Sequence, residues 1–407
     1  MDAPLSAAHL ARWRTAMFTI FLVSGFGFAS WASRIPGVKS ALGITDAQVG
    51  SLLLVMGAAP LIGIPLANLV VARWGTRRGM HATLAAQAAG MIAVGVGVQV
   101  VESYPVIAVS LGLMGLGMGM TDVMMNVEAA AAEQAIGRTL MPLFHAFFSF
   151  GTVAGAGLGV VMAAAGVGIG WHVGGAGLLV LAAGLGALRW VPARDALHDD
   201  DPSARTRRER LRELLAVWRT PRTYAIGLIM LGVSFAEGAA SDWLPIAVVD
   251  GHGQSEATGA IALTVFSVAM TTVRVLGGPL VDRFGRVWML RVLSVTAAGG
   301  LALFILAPTT PLALIGVALW GAGASMGFPL GMSAAADDPA RATASVSAAA
   351  SIGYLAFLCG PPALGWVSDQ IGILPTLWII AVLIALSGAA AGAARPLTPA
   401  AAGSAHH

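Results

Sequence analysis

The sequence has few charged residues, few aromatic residues and a single cysteine. Asp, Glu, Lys and Arg make up 11% of its 407 residues, against roughly 25% in soluble domains. This excludes a water-soluble globule. Cys359 alone cannot form an intramolecular disulfide, and no cluster of His or Cys predicts a metal site. The net charge of +3 does not predict nucleic-acid binding, because the arginines are dispersed between apolar runs.

The sequence is instead rich in apolar residues: 57% of its residues are hydrophobic and the mean hydropathy is +0.81. About 20 apolar residues cross the hydrocarbon core of a bilayer. Helices are expected, because a backbone in lipid must satisfy its own hydrogen bonds, and the alternating segments of a β-barrel are missing from the sequence. We therefore predict an all-α membrane protein with twelve spans, at roughly 14–36, 46–71, 79–101, 104–131, 140–165, 169–191, 222–249, 255–281, 287–307, 311–335, 342–367 and 372–394.

The basic residues predict the orientation of these spans. If both termini are cytoplasmic, 20 of the 23 Lys and Arg residues fall at cytoplasmic ends or loops. The exceptions are Arg34, Lys39 and Arg274. Cytoplasmic loops of membrane proteins are enriched in Lys and Arg, so this asymmetry favours cytoplasmic termini. The polar stretch 192–221 is interpreted as a cytoplasmic linker with an interfacial helix, or alternatively as a docking site for lipid or protein.

The chain repeats itself at a constant offset of about 210 residues. Three short stretches match at this spacing: 23–24 with 233–234, 45–47 with 255–257, and 72–75 with 282–285. The matches predict two duplicated halves, 1–191 and 222–407, with six spans each and the same orientation in the membrane. Thr45-Asp46 and Ser255-Glu256 are also predicted to cap the second span of each half.

The loop between spans eight and nine reads "GPLVDRFGR". Gly285 permits a tight turn there, and Asp282 can pair with arginines or with a helix N-terminus. Together with twelve spans in a six-plus-six repeat, this loop resembles the signature loop of the major facilitator superfamily. The first-half copy has Ala72 where the family has its aspartate. The residues that carry the resemblance are Gly278, Asp282, Arg283, Gly285 and Arg286 in the second half, and Arg73 and Gly75 in the first.

Three further stretches narrow the resemblance. "SWASRIPGVKSALGITDAQVG", "TDVMMNVEAAAAEQAIGRTLMPLFHAFFSFG" and "RWGTRRG" are similar to a fucose-permease-like branch of bacterial inner-membrane permeases. The resemblance implies a multi-pass inner-membrane transporter that works by alternating access, with one central site between the halves. The Gly-Pro signature of drug antiporters is missing from "GTVAGAGLG" in span five, which disfavours drug/proton antiport.

Span four carries acidic residues inside the predicted membrane, where ionisable groups are costly and usually functional. Asp122 lies past the midpoint, and Asn126 and Glu133 fall on the same helix face. Asp122 is predicted to bind substrate or a proton, the alternative being a buried structural hydrogen bond. Glu128 and Glu133 could instead pair with Arg138 or Arg73 at the cytoplasmic boundary.

Span five carries His145, with Ser149 and Thr152 on the same face. His145 is either an assisting group in the site or a satisfied core residue. Gly151, Gly155 and Gly159 form a separate seam suited to close helix packing.

Spans one, seven and eight carry the remaining candidates. Glu237 is predicted near the midplane, and Arg34 and Asp242 form a candidate outer gate pair, unless each is solvated or paired locally. Trp31 and Trp243 either offer flat faces to a solute or act as interfacial anchors. A buried arginine must pair, so Arg274 either holds an anionic group of the substrate, closes a salt bridge with Asp122 or Glu128, or pairs structurally.

We therefore predict a proton-coupled secondary transporter without a cofactor that moves a small polar solute. Its partners are the solute, protons and membrane lipid, and it is expected to be a monomer that does not bind nucleic acid. The alternatives are a proton-driven exporter of drugs or amphipathic metabolites and, more distantly, a non-transporting receptor with a transporter fold. A membrane enzyme is disfavoured, because no reactive constellation lies at one depth.

Overall fold

The computed structural model describes residues 6–137, 140–192, 217–338 and 342–397, and this part of the chain is helical and contains no strand. A single π-helical turn follows the third helix (Gly97–Val101) and another follows the seventh (Ala247–Gly251), and a 3-10 turn ends the last span (Ala391–Ala394). The α-helices are Ala7–Ala32, Ile35–Leu42, Asp46–Val96, Tyr104–Ile136, Met141–Ala164, Ile169–Leu188, Pro221–Ile246, Glu256–Leu276, Gly278–Phe284, Arg286–Leu306, Thr310–Ala324, Gly327–Ala335, Ala342–Ile371, Ile373–Thr376 and Trp378–Ala390.

Within the described residues, twelve helical segments are long and apolar enough to cross a membrane, in agreement with the predicted number of spans. We number them one to twelve: 7–42, 46–63, 73–101, 104–136, 143–164, 169–188, 221–251, 256–276, 286–306, 310–335, 348–371 and 373–394. Span ten differs from its prediction, because it is interrupted at Ser325 and Met326. The interfacial helix predicted within 192–221 lies largely outside the described residues.

The duplication inferred from the sequence reappears in the backbone. Gly75 has φ 74° and ψ 166°, and Gly285, 210 residues later, has φ 77° and ψ 154°. This region of backbone space is essentially restricted to glycine. The same kink therefore separates the signature loop from the following span in both halves, as the sequence match predicted.

The predicted helix caps are also present. The Thr45 hydroxyl accepts the N–H of Gln48, and the Gln48 side chain accepts the N–H of Thr45, forming a capping box at the start of span two. At the start of span eight, the Ser255 hydroxyl accepts the N–H of Thr258. Both caps are local in sequence, which is why the sequence predicted them.

The described chain divides into two compact units. The first contains the described residues within 1–200, 239–271 and 358–377, and the second contains those within 201–238, 272–357 and 378–407. The first unit therefore takes segments from both sequence halves. The predicted domain boundaries, 1–191, 192–221 and 222–407, stay a prediction.

In the first unit, glycines bring spans one and five into backbone contact. A Cβ on Gly151 would overlap the Leu22 carbonyl, and one on Gly155 would overlap the Phe26 carbonyl. Gly159 meets the side chain of Ser33 in the same way. The small-residue seam predicted for span five is confirmed, since small residues let helix backbones approach closely in lipid.

The core of the second unit is formed by buried side chains from spans seven, nine, ten, eleven and twelve. Met230 and Ala334 are fully buried, and Leu290 is 1% exposed. Near this core, the Arg222 Nε group donates to the Ala393 carbonyl at 2.9 Å, which ties the start of span seven to the end of span twelve.

Candidate functional site

Span seven and span eight are joined by an ion pair in the second unit. Arg274 Nη2 lies 3.3 Å from Glu237 Oε2, and both side chains are a little over one quarter exposed. Of the partners considered for Arg274, the named acids were Asp122 and Glu128, and a structural pairing was also left open; the structure pairs Arg274 with Glu237. The rotation of span eight about its axis turns Arg274 towards span seven of the same sequence half. The depth of a residue along its span does not reveal this facing direction.

Arg274 also contacts the interruption in span ten. Its Nε group donates to the Ser325 carbonyl at 3.0 Å. Ser325 lies between the helices Thr310–Ala324 and Gly327–Ala335, where the broken helix leaves backbone groups available. The sequence analysis missed Ser325. The signal that could have found it is the Gly- and Pro-interrupted stretch "GAGASMGFPLG", since interrupted spans often form transporter sites.

Asp122 lies on the surface of span four, with Asn126 one turn later. The Asn126 amide donates to the Asp122 carbonyl oxygen at 2.8 Å and to its carboxylate at 3.3 Å. Asp122 is exposed and Asn126 is partly exposed. Among the residues that the structure describes, no cation pairs with Asp122. The two residues therefore share one face of the helix, and whether they bind solute or protons stays a prediction.

The other two acids of span four have structural partners. The Glu133 carboxylate accepts the N–H groups of Leu140 at 2.5 Å and Met141 at 2.7 Å, which caps the start of span five. Glu128 is fully buried and accepts a hydrogen bond from the Thr76 hydroxyl. Neither contact is the predicted pairing with Arg73, and Arg138 lies outside the described residues.

His145 is exposed on span five and meets the ring of Phe21 edge-on, with centroids 5.3 Å apart. The hydroxyls of Ser149 and Thr152 donate to carbonyls of their own helix, so their hydrogens are committed to the backbone. Within the described residues, no three His, Cys, Asp or Glu side chains are placed to hold a metal ion.

Trp31 and Trp243 are buried in this structure, with exposed fractions of 1% and 0%. Neither indole offers a face to a solute here, and neither is an interfacial anchor, since an anchor would be exposed at the membrane surface. Trp243 packs against span eleven, where a Cβ on Gly365 would lie 3.0 Å from its ring. Both side chains therefore act as packing residues in this arrangement.

Arg34 has a different partner from the one predicted. Its side chain lies in the turn after the first helix and is 4% exposed. Its Nη2 group donates to the Val167 carbonyl at 2.9 Å and lies 4.0 Å from Glu256 Oε2. The predicted partner, Asp242, is itself buried on span seven. The predicted Arg34–Asp242 pair is thus replaced by Arg34–Glu256. Glu256 is the first residue of span eight, so it lies at a helix end, as Arg34 does.

Lys39 forms a second set of ion pairs near Arg34. Its Nζ group lies 2.6 Å from Asp46 Oδ1 and also pairs with Asp250. Asp46 belongs to the first sequence half and Asp250 to the second. A single lysine therefore connects the start of span two with the end of span seven.

Asp369, at the end of span eleven, caps span two from the other sequence half. Its carboxylate accepts the backbone N–H of Asp46 at 2.9 Å and that of Ala47 at 3.2 Å. The neighbouring Ser368 hydroxyl donates to the Asp46 carboxylate. Close packing accompanies these bonds, since a Cβ on Gly50 would lie 2.5 Å from the Pro361 carbonyl oxygen. We call Arg34, Lys39, Asp46, Asp250, Glu256, Ser368 and Asp369 the outer-end network, after the orientation predicted from the basic residues, in which this end faces outward.

The second-half signature loop forms the short helix Gly278–Phe284, followed by the turn at Gly285. Asp282 is exposed, and no cation within the described ranges pairs with it. The Arg283 guanidinium lies over the Phe284 ring, 5.2 Å from its centroid. Arg286, which begins span nine, pairs with Asp337 instead.

Asp337 connects two spans at the end of span ten. Besides Arg286, Arg222 donates to its carboxylate at 2.7 Å. Burial alone would raise the pKa of Asp337, but the hydrogen bonds from Arg286 and Arg222 outweigh it and hold the pKa below its ordinary value. In the first half, Thr76 occupies the position equivalent to Arg286 and donates to Glu128. The two copies of the loop are therefore anchored by different chemistry, one by an ion pair and the other by a hydroxyl.

The sequence model of the Major Facilitator Superfamily matches residues 16–356 and, in a second alignment, 244–405. The chain therefore belongs to the major facilitator superfamily. Members of this family are carriers rather than enzymes, as the sequence predicted, and the protein is a multi-pass bacterial membrane transporter.

Individual relatives agree with this assignment. The chain is 30% identical over 383 residues to an uncharacterized transporter of Sinorhizobium fredii, covering 93% of this chain and 96% of the relative. It is 26% identical over 378 residues to a 2-nitroimidazole transporter of Escherichia coli, covering 90% and 91%. Among solved structures, the E. coli fucose:proton symporter FucP superposes with a TM-score of 0.62 at 18% identity, covering 94% of this chain and 98% of that one.

Proposed function

We propose that the protein is a proton-coupled secondary transporter of a small polar solute. It works by alternating access as a monomer in the inner membrane, with both termini cytoplasmic. The observation that carries this proposal is that Arg274 contacts both Glu237 and the Ser325 carbonyl at the break in span ten. Ionisable residues within spans and interrupted helices both mark transport sites.

The ion pair provides a physical link between proton and solute. A carboxylate that pairs with a guanidinium in a span loses that pairing when it binds a proton. Protonation of Glu237 would release Arg274, whose remaining donors could then hold a polar or anionic group of the solute. The two side chains, each over one quarter exposed, are accessible to both ligands.

Asp122 is the second carboxylate in this proposal. Asn126 orients it, and no described cation neutralises it, so it is suited to exchange protons or to accept hydrogen bonds from a solute hydroxyl. His145, exposed on span five, is assigned an assisting role. Carboxylates that bind both proton and solute suit symport, in which protonation prepares the site for the solute.

The outer-end network is proposed to be the gate of the transport cycle. Arg34 with Glu256, and Lys39 with Asp250, connect residues of the two sequence halves. The arginine-poor loops lie at this end, which the positive-inside rule assigns to the outside. These ion pairs would have to separate for the site to open outward. This gate replaces the predicted Arg34–Asp242 pair.

Solute-dependent proton flux in proteoliposomes tests the proposal. Wild-type protein is assayed with a panel of sugars, nucleosides and small heterocycles, alongside Asp122→Asn and Glu237→Gln. Glu102→Gln is the matched control, since Glu102 is an exposed acid between spans three and four. We expect both span variants to lose proton coupling while remaining folded, and the control to keep it.

Wild-type uptake that ignores a pH gradient would remove proton coupling from the proposal. Full coupling in Asp122→Asn would return that residue to a structural role. If no member of the panel is transported although the protein is folded, the small polar solute class is wrong.

The similarity to a 2-nitroimidazole transporter supports one alternative solute class, small heterocycles. Export of such compounds is the alternative direction that the sequence left open. Overexpression would then protect cells from such compounds, and the proteoliposomes would accumulate them when the proton gradient is reversed. The same assay therefore distinguishes export from uptake.

A further inference from the structure

An apolar groove lies in the second unit, and neither Glu237 nor Arg274 is among its lining residues. Its volume is about 540 Å³, within the range of small-molecule sites. Spans seven and eleven form its walls. The lining residues are Trp218, Tyr224, Leu228, Leu231, Ser351, Ile352 and Leu355.

The groove begins at the arginine-rich end of span seven and runs into the span. Span seven starts at Pro221, and the helical rise places Tyr224 roughly 4 Å and Leu231 roughly 15 Å from that start. Tyr224 and Leu355 are about half exposed. A molecule in this groove would therefore have an apolar part within the depth of the hydrocarbon and its other end at the membrane surface.

The turn before span seven holds an aromatic side chain at the mouth of the groove. The Thr223 hydroxyl donates to the Val217 carbonyl at 3.0 Å, which folds the turn back onto the helix. Trp218 is thereby placed edge-on against Tyr224, with ring centroids 6.0 Å apart. Trp and Tyr are enriched at the level of lipid headgroups, where one end of the ring is apolar and the other is wet.

A positive charge is available beside this mouth. Arg219 follows Trp218 directly and is exposed. Over the described part of the chain, Arg219 has no acidic partner. Arg222, in contrast, is committed to Asp337. The mouth therefore has next to it in sequence a guanidinium that no described acid neutralises. A positive charge beside an apolar channel is complementary to an anionic headgroup on an acyl chain.

We propose that this groove binds an anionic phospholipid, with one acyl chain between spans seven and eleven and the phosphate at Arg219. The occupant is a lipid of the surrounding leaflet rather than a transported solute. One basic residue near the membrane surface favours an anionic over a zwitterionic lipid by about fivefold. This inference does not depend on the solute or on proton coupling.

Photo-crosslinking in nanodiscs tests the site. Full-length protein is illuminated with phosphatidylglycerol or phosphatidylcholine that carries the same diazirine-labelled acyl chain, and the labelled peptides are mapped by mass spectrometry. We expect labels on segments 224–231 and 351–355, about fivefold more with phosphatidylglycerol. Arg219→Gln should reduce this preference to about one, and Leu355→Trp should remove the labels by filling the groove.

Two matched controls separate the groove from the general lipid annulus. Arg291→Gln removes another exposed arginine, at the start of span nine, and Leu306→Trp enlarges another exposed apolar side chain at its end. Both should leave the labelling of the groove unchanged.

Labels spread evenly over exposed apolar surfaces, or unaffected by Leu355→Trp, would overturn the site. Equal labelling by the two lipids would overturn the assignment of an anionic headgroup. Displacement of the lipid by a transported solute would overturn the assignment of a lipid and would show that the groove binds the solute.

Discussion

The cap that Asp369 places on span two can be tested by removing its carboxylate. The capping box at Thr45 and Gln48 satisfies two backbone N–H groups at this helix start, and Asp369 accepts the next two, those of Asp46 and Ala47. In the closed arrangement of the outer-end network, Asp369→Ala therefore leaves the N–H groups of Asp46 and Ala47 to hydrogen-bond with water only. Because the cap comes from the other sequence half, its loss should weaken closure rather than the helix itself.

The size of the effect follows from known capping energies. Replacing a capping side chain by alanine costs about 1 kcal/mol. Asp369 is exposed, so the attraction between its charge and the helix dipole is screened and adds little. A loss of about 1 kcal/mol would shift the equilibrium toward a separated outer end about fivefold. Asp369→Asn keeps one acceptor oxygen and should lose roughly half as much.

Electron paramagnetic resonance distances can measure this shift. Spin labels at Ser40→Cys and Ser255→Cys, two exposed positions in the first unit from different sequence halves, report separation of the outer end. The exposed Cys359 is replaced by serine so that the labels are unique. Gln370→Ala, the exposed neighbour, is the matched control. An Asp369→Ala distance distribution identical to that of Gln370→Ala would refute the reasoning.

Three further outcomes are expected. Gly151→Ala forces a methyl group into the Leu22 carbonyl and should lower the free energy of unfolding by roughly 1 to 3 kcal/mol. Gly157→Ala is the control and should leave this free energy unchanged, because a Cβ there meets no atom within 4 Å. Thermal denaturation in detergent compares the two variants. Asp337→Asn should cost about 2 kcal/mol by weakening two charged hydrogen bonds. Because the pKa of Asp337 is lower in the folded state, its contribution to stability is complete above the unfolded pKa of about 4 and is lost as pH falls through the folded pKa. The difference in melting temperature between Asp337→Asn and wild type should therefore be equal at pH 7 and pH 5. A difference that shrinks between these pH values would contradict this assignment. Thr76→Val removes the hydroxyl bonded to Glu128 and should destabilise the protein by about 1 to 3 kcal/mol, while unchanged melting would show that this bond contributes little.

The partners of the charged side chains could not be predicted from the sequence. Arg274 and Arg34 were both expected to pair with acids, and both do, but with Glu237 and Glu256 rather than with the predicted partners. Each residue turns a helix by about 100°, so equal depth in the membrane leaves the facing direction undetermined. Glu133, which the helix period places on the same face as Asp122, caps the start of span five, a contact that the sequence did not predict.

The sequence by itself determined the features that depend on neighbouring residues: twelve apolar spans, the capping box at Thr45, the kinks at Gly75 and Gly285, and the glycine seam of span five. Hydropathy, capping and backbone freedom act over one to a few helical turns, so a linear pattern contains them. Only the tertiary structure decided which charges meet, that Trp31 and Trp243 are buried, and that span ten is broken where Arg274 can reach it. Those outcomes depend on the rotation and packing of helices distant in sequence, and no local pattern specifies them.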